Sequence, residues 1–403
     1  MAVVTSTGAR VARVARVALA VLLPLAVGTC SAERDGAGAD EAADGGDAHS
    51  VRARPPRDLL LPPEGEAYFG AFATMDESLT RQRFDEIAVV AGKRPAIHLI
   101  FRDWQRGGDG DFPLEFVRET HAMGAVAMVS WEPWWDYSFE DYPLLEDIAS
   151  GRHDAYLRAF LEQAAKFDEP WFLRFAHEME GGTYPWAEAV DRRQTAARYA
   201  AAFRHVADLA RVIAPKTLMV WSPNSGSVRA RRFWPGDESV DWIGGSLYNF
   251  PGAPQDPDHP DKLGGWMPMV RELGKPSMIA EMGCAESYTV TAGAIAAGGP
   301  DAPRLRDWMD LDMADKSACL ERTFDVIERR YPDIRALVWF DIDKEGDADW
   351  RLDSSPGARA TFERRIADPR YVGAPIVAVE GVRDAGGHAG TGNRRPPPGM
   401  SDW

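Results

Sequence analysis

Trp171-Phe172-Leu173-Arg174-Phe175-Ala176-His177-Glu178-Met179 is a nearly continuous apolar run that closes on His-Glu. A strand with one solvated face alternates apolar and polar residues. A continuous run of this length reads instead as a strand buried on both faces, as in a parallel sheet covered by helices. The same pattern recurs outward in both directions. Candidate strands at 68–73, 96–104, 126–134, 171–179, 217–224, 242–249, 277–283 and 336–343 alternate with amphipathic stretches at 81–91, 111–123, 153–166, 191–213, 261–273, 311–330 and 358–366. Between the fifth and sixth strands, 229–239 has room only for a short helix. Eight strand–helix units predict an α/β fold, the (β/α)8 TIM barrel. A doubly wound open sheet is the competing topology, but no Gly-rich phosphate loop follows the first strand.

Several strands end in polar or aromatic residues: Trp131-Glu132-Pro133-Trp134, His177-Glu178, Trp221-Ser222-Pro223-Asn224, Tyr248-Asn249, Glu281 and Trp339-Phe340-Asp341. In a barrel these carboxyl ends converge on one rim, where active sites sit. Glu178 and Glu281 each close an apolar strand, the fourth and the seventh, and so face one another across the mouth. Two carboxyl groups in a Trp-lined cleft suit glycoside hydrolysis, in which one protonates the leaving oxygen and the other takes up the cationic sugar.

The composition narrows the classes further. The chain has 403 residues, 46 Lys and Arg against 62 Asp and Glu, and a formal charge of −16, which argues against a phosphate-neutralising nucleic-acid face. Three cysteines exclude a disulfide scaffold and a four-cysteine zinc site. Residues 1–30 read as a signal peptide, with Arg10, Arg13 and Arg16 ahead of an apolar run at 17–27 that is too short to span a bilayer. Val27-Gly28-Thr29-Cys30 resembles a lipobox that would place a lipid on Cys30, while Cys30-Ser31-Ala32 suits ordinary signal peptidase. Residues 31–62 read as a flexible acidic linker, 63–370 as the catalytic barrel and 371–403 as a tail expected to be mostly disordered, apart from an apolar run at 372–382 that can lie against the domain.

Arg174-Phe175-Ala176-His177-Glu178-Met179 with Tyr184-Pro185-Trp186, and Lys275-Pro276 through Ala280-Glu281-Met282-Gly283, resemble the acid/base and nucleophile segments of glycoside hydrolase family 26, the β-mannanase family of the retaining (β/α)8 clan. Ser130-Trp131-Glu132-Pro133-Trp134, Asp241 through Tyr248, Val338-Trp339-Phe340 and Asp349-Trp350-Arg351 match as well, so the resemblance covers roughly residues 65–367. It implies Glu178 as general acid/base, Glu281 as nucleophile, His177 beside the acid or the substrate, and Tyr248 as a hydrogen-bond donor to the nucleophile. It also implies Trp339 as the floor under the sugar, with Trp131 and Trp186 as further substrate-binding walls. Glu180, where the family commonly has Asn, and Ser246, where mannanases often carry an acid, depart from the pattern and bear on mannan specificity.

Each residue has a plainer reading. Glu178 is otherwise an ion-pair partner of Arg174, and Trp339 is otherwise core packing. His177-Glu178 is not half of a zinc site, because Gly181 stands where HExxH needs its second His. Cys284 and Cys319 are either a disulfide or buried thiols. The expectation is a monomeric retaining β-glycosidase, secreted or lipid-anchored on the bacterial surface. It would act on β-1,4-mannan or a related glucan or xylan, with no metal, no cofactor and no nucleic-acid partner. A catalytically dead glycan-binding barrel is the alternative, and a solute-binding lipoprotein a more distant one.

Overall fold

The computed structural model describes residues 59–74, 77–106, 111–224, 228–249, 262–286, 316–344 and 348–375. The signal peptide, Cys30, most of the acidic linker and nearly all of the tail expected from the sequence lie outside these residues.

Among the described residues, ten strands form one parallel sheet: β1 (Ala67–Phe72), β2 (Ile97–Trp104), β3 (Val126–Trp135), β4 (Trp171–Phe175), β5 (Thr217–Trp221), β6 (Trp242–Ile243), β7 (Ser246–Asn249), β8 (Ser277–Cys284), β9 (Ile334–Phe340) and β10 (Tyr371–Val372). Because β9 pairs with both β8 and β1, the sheet closes on itself. The pieces β6 and β7 are one barrel strand interrupted at Gly244-Gly245, so the barrel is eight-stranded, as the sequence predicts. The interruption has a steric cause. A Cβ on Gly244 would stand 2.7 Å from Ser222 Oγ, and one on Gly245 would stand 3.0 Å from the Trp266 ring. Only glycine lets these neighbours approach so closely. The strand β10 pairs with β1 through Ala67 and Tyr371, so the sheet runs just past the boundary expected at 370.

The helices are α1 (Thr80–Ala91), α2 (Leu114–Ala122), α3 (Leu145–Ala149), α4 (Asp154–Ala164), α5 (Ala196–Ile213), α6 (Lys262–Leu273), α7 (Lys316–Arg330) and α8 (Pro356–Ile366). Between β5 and β6 the described residues make only short 3₁₀ turns, Val228–Phe233 and Asp237–Ser239. Helix α5 starts later than the periodicity from 191 suggests. Its N-cap is Thr195, whose side chain accepts the Arg198 N–H, while Asp191 is held in a turn by Arg193. Its buried stripe, Tyr199, Phe203, Val206, Ala207 and Ala210, recurs at three- and four-residue spacing against the sheet. Each large side chain in such a stripe contributes ~1.5–3 kcal/mol, and Thr195→Ala would cost ~1 kcal/mol by leaving an amide uncapped.

Two apolar layers result. Tyr68, Phe72, Leu99, Met128, Phe172, Val220, Trp242, Met278 and Val338 fill the barrel lumen, and a larger layer lies between strands and helices. Cys284 at the end of β8 forms a disulfide with Cys319 of α7. None of the described helices is long and apolar enough to cross a membrane.

Candidate active site

The site grows from an arginine on β4. Along β4, Phe172 and Arg174 face the lumen, and Arg174 is completely buried there. A buried guanidinium needs partners, and four strands supply them. Its Nη1 donates to Glu281 Oε1 on β8, and to Ser130 Oγ on β3 at 3.1 Å. Its Nε donates to Ser222 Oγ at 2.9 Å, just beyond β5, and its Nη2 to Ser246 Oγ on β7 at 3.2 Å. Burial works against its charge, but the carboxyl groups of Glu281 and Glu178 outweigh that and hold the guanidinium more firmly protonated than usual. Arg174 is thus the counter-charge of Glu281.

Glu281 reaches the lumen through a β-bulge. Ala280 and Glu281 both direct their N–H groups at the Gly245 carbonyl, at 2.8 and 3.4 Å, and the register with β9 slips between Ile279 and Met282. The extra residue re-aims the side chain, a common use of bulges beside active sites. Glu281 Oε2 accepts a 2.5 Å hydrogen bond from the Tyr248 hydroxyl, so both of its oxygens are held.

Glu178 arrives by a different device. Past the end of β4, Ala176 and Glu178 both adopt left-handed backbone, at φ 45° and 54°. Side chains resist that conformation, and it persists only where surrounding bonds impose it. Here the Ala176 N–H bonds to Trp131 O, and the Glu178 N–H to Ser222 O, which pins the turn between β3 and β5. Burial, and then the nearby charge of Glu281, push the Glu178 carboxyl up to about 7, against the pull of Arg174 and a hydrogen bond from Ser246. Ser246 therefore touches both Arg174 and Glu178, and the two carboxyl groups belong to one network.

His177 is fully buried, with Nε2 2.9 Å from the Tyr184 hydroxyl and 3.8 Å from both Glu132 Oε1 and Glu281 Oε1. Burial and the Arg174 charge hold its pKa well below the ordinary histidine value, so the ring is neutral. Tyr248 is half-buried, its ring tilted against Trp350 at 4.9 Å and edge-on to Phe340 at 5.6 Å. The structure thus brings Glu178, Glu281, His177 and Tyr248 together.

Three expected walls are placed elsewhere. Trp131 lies under the helices, its ring stacked 3.9 Å from Phe160 of α4, because Ser130 and Glu132 take the lumen side of β3. Trp339 is 1% exposed and packs on Phe362 of α8, with its indole N–H donated to Trp350 O, because Val338 and Phe340 take the lumen side of β9. Trp186 is buried behind Tyr184, stacked on it at 4.4 Å, and donates to the His177 carbonyl. None of the three presents a face to a sugar. Trp186 instead supports the segment that carries His177.

Other groups occupy the mouth. Glu132 is buried beside His177, accepts from the Trp134 indole at 3.2 Å, and is pushed well above the carboxylate range by burial, then by Asp103 and Glu281. Its register partner Asp103 on β2 is pushed up to about 6 by burial. Phe101, Phe340, Trp350 and Tyr184 supply the aromatic surface near the carboxyl groups. A two-residue alternation counted along β3 and β9 would have pointed to Glu132 and Phe340. No local signal marks Arg174 as the partner of Glu281. Among the described residues, no group of three or more His, Cys, Asp or Glu is placed to hold a metal ion.

The model of glycosyl hydrolase family 26 matches residues 146–322. Endoglucanase H of Acetivibrio thermocellus is 27% identical over 277 residues, 66% of this chain and 27% of that protein. The β-1,3-xylanase TXYA of a Vibrio species is 31% identical over 145 residues, 34% of this chain and 28% of that protein. The chain thus spans little more than a quarter of these curated relatives. Among solved structures, the mannanase BCman of Bacillus subtilis superposes with a TM-score of 0.51 at 18% identity, covering 75% of this chain and 87% of that one. A Cellulomonas fimi endo-β-1,4-mannanase superposes with a TM-score of 0.54 at 17% identity, covering 78% and 73%. At such identities the superpositions establish the barrel fold.

Proposed function

We propose, from the premise that this chain belongs to glycosyl hydrolase family 26, that it hydrolyses a β-linked polysaccharide with retention of configuration, with Glu178 as acid/base and Glu281 as nucleophile. The observation that carries this reading is the unequal treatment of two carboxyl groups in one network. Glu281 is ion-paired with Arg174 and bonded to Tyr248, whereas Glu178 is buried and pushed up to about 7. Environments that drive two carboxyl groups apart in this way separate a nucleophile from a proton donor.

Glu178 gives its proton to the glycosidic oxygen as the bond to the anomeric carbon breaks, and a Glu281 oxygen forms the ester that replaces it. Arg174 and Tyr248 hold the attacking carboxylate in one orientation. Esterification removes the Glu281 charge that had favoured the proton on Glu178, while the Arg174 charge remains. Glu178 is then a carboxylate able to take a proton from water as the water opens the ester. Tyr248, backed by Phe340 and Trp350, forms the apolar surface for the sugar ring. A β-glucan or β-xylan backbone is favoured over mannan. Glu180 and Ser246 depart from the mannanase pattern, and the relatives found by sequence carry endoglucanase and β-1,3-xylanase names.

Export is part of the same proposal. It is supported by the N-terminal sequence pattern and by the Cys284–Cys319 disulfide, a bond that persists in oxidising compartments. Attachment through a lipid on Cys30 remains the alternative to free secretion, and detergent-phase partitioning lost in Cys30→Ser would identify it.

The test is hydrolysis of a panel of mixed-linkage glucan, xylan, laminarin and mannan, with product configuration read by NMR. A 2-fluoro activated glycoside of the cleaved sugar should label Glu281 alone, and azide should rescue Glu178→Ala. Inverted products, or labelling of another carboxyl group, would refute the assignment. A folded protein inactive on every glycan would favour the non-catalytic binding barrel.

A further inference from the structure

Helix α7 buries more than hydrocarbon. Its inner stripe includes Leu320, Phe324 and Ile327, as a helix resting on a barrel requires, but also Lys316, Cys319 and Thr323 at three- and four-residue spacing. Each of these three is bonded to a different segment at the barrel mouth. Thr323 Oγ1 accepts from Asn249 Nδ2 at 3.1 Å and donates to the Cys319 carbonyl at 2.8 Å, and Asn249 closes β7 directly after Tyr248. Cys319 is disulfide-bonded to Cys284, the last residue of β8, three beyond Glu281. Lys316 is 1% exposed, and its ammonium donates to Arg351 O at 2.6 Å, Ser354 Oγ at 2.8 Å and Asp349 O at 3.4 Å. A buried ammonium requires such acceptors.

The Asp349 and Arg351 carbonyls flank Trp350, so the Lys316 ammonium grips the backbone on both sides of that ring. Trp350 in turn lies against the nucleophile strand. A Cβ on Gly283 would stand 2.7 Å from its ring, which therefore rests on the β8 backbone two residues past Glu281, and the Tyr248 ring is 4.9 Å away. In the register of β7 with β8, Ser246 pairs with Glu281 and Asn249 with Cys284. Tyr248 and Glu281 thus lie on the same few rungs that α7 holds at their far end. Glu178 stands apart from these bonds, on a turn pinned to Trp131 and Ser222.

We infer that Lys316, Cys319 and Thr323 are positioning residues for the nucleophile half of the site: they fix Tyr248, Trp350 and the end of β8 so that the Glu281 carboxylate meets the anomeric carbon, and they leave Glu178 alone. This rests on the hydrolase reading above. Attack by a carboxylate is sensitive to small misplacements, so a brace outside the barrel can govern rate without touching the sugar.

Three variants of the full-length chain test it. Lys316→Met removes the ammonium, Thr323→Val removes the hydroxyl at nearly constant shape, and Cys284→Ser/Cys319→Ser opens the disulfide. Each should lower kcat on an activated aryl glycoside by about tenfold, of the order of one hydrogen bond, with KM little changed. Thermal unfolding checks that each is folded at the assay temperature. A general loosening would not reproduce two further results. The basic limb of the pH profile, assigned to Glu178, should stay where it is, and the effect of Lys316→Met should shrink in a Tyr248→Phe background, because the group it acts through is gone. Placement is also read without turnover. With isotope-labelled tyrosine rings, the NMR signal of Tyr248, assigned by its loss in Tyr248→Phe, should shift in all three variants, while that of Tyr199, packed behind β4, should not. An unmoved Tyr248 signal in the folded variants, a displaced basic limb, or equal losses in both backgrounds would overturn the inference. A shifted Tyr248 signal in a protein that cleaves no glycan would support the brace and defeat the hydrolase reading alone.

Discussion

Replacing Tyr248 with Phe removes one oxygen atom at the point where Glu281, the proposed nucleophile, is held. The hydroxyl donates to Glu281 Oε2 at 2.5 Å, a short hydrogen bond to a charged acceptor. Such bonds are worth ~1.5–3 kcal/mol, and at ~1.4 kcal/mol per decade the loss corresponds to roughly tenfold to 150-fold. The ring itself stays, packed against Phe340 and Trp350, so the lumen keeps its shape and the melting temperature should move little. The deficit should therefore appear in kcat/KM, because the freed Glu281 oxygen loses the constraint that aims it at the anomeric carbon. Arg174 still holds the other oxygen, so activity should fall within that range and not vanish. The assay is steady-state hydrolysis of an aryl glycoside or the best oligosaccharide by wild type and Tyr248→Phe, with unfolding curves recorded in parallel. A folded variant within twofold of wild type would refute the role assigned to this hydrogen bond.

The basic limb of the kcat/KM profile should fall with an apparent pKa near 7, because only the protonated Glu178 can serve the leaving oxygen; the same limb persisting in Glu178→Gln would exclude that residue as its source. The folded-state pKa of Glu178 is raised above its unfolded value of 4.5, so the folded state holds this proton more tightly, and stability is lost as pH rises from about 4.5 toward 7. Glu178→Gln should accordingly unfold at higher temperature than wild type at pH ~8, with little difference at pH ~4, as calorimetry would show. Trp339→Ala should cost ~3–5 kcal/mol of stability, since it empties a packed site between β9 and α8, and Trp131→Ala should behave alike; a loss of kcat/KM with unchanged denaturant midpoints would place these rings at the substrate instead.

The strand count is legible in the sequence because parallel strands buried on both faces leave long apolar runs, and because their polar ends mark the rim. Which way each residue faces is much less legible. Trp131 and Trp339 each sit one position from a lumen-facing residue, and a shift of one along a strand exchanges the inner layer for the outer. Counting helps on β3, where Ser130 and Glu132 line the lumen, and on β9, where Val338 and Phe340 do. It misleads on β8. Alternation from Met278 and Ala280 would point Met282 inward and Glu281 outward, yet the bulge against Gly245 reverses this, and Met282 joins the outer layer. Glu281 is legible through its motif context, which records the bulge without describing it. Arg174 illustrates a second limit. Its neighbour in sequence is Glu178, but its extended side chain spans the lumen to Glu281, a contact set by barrel closure and by no local pattern.

The division of labour between the carboxyl groups follows from counting charges where water is excluded. Among the described residues, Glu132, Glu178 and Glu281 share the lumen with one fully buried guanidinium, that of Arg174, and with a histidine held neutral, while Lys344 acts more weakly on Glu178. One buried cation can compensate one buried anion, and any further ionised carboxyl would lie uncompensated at a cost of several kcal/mol. The ion pair goes to Glu281, because the bulge carries that carboxylate onto the guanidinium and Tyr248 closes its other oxygen. Glu132 and Glu178 then hold their protons, and only Glu178 stands on the turn that lifts it to the rim. On the proposed mechanism, burial and the charge of Glu281 together keep the proton on Glu178, which becomes a base when that charge is spent in the ester.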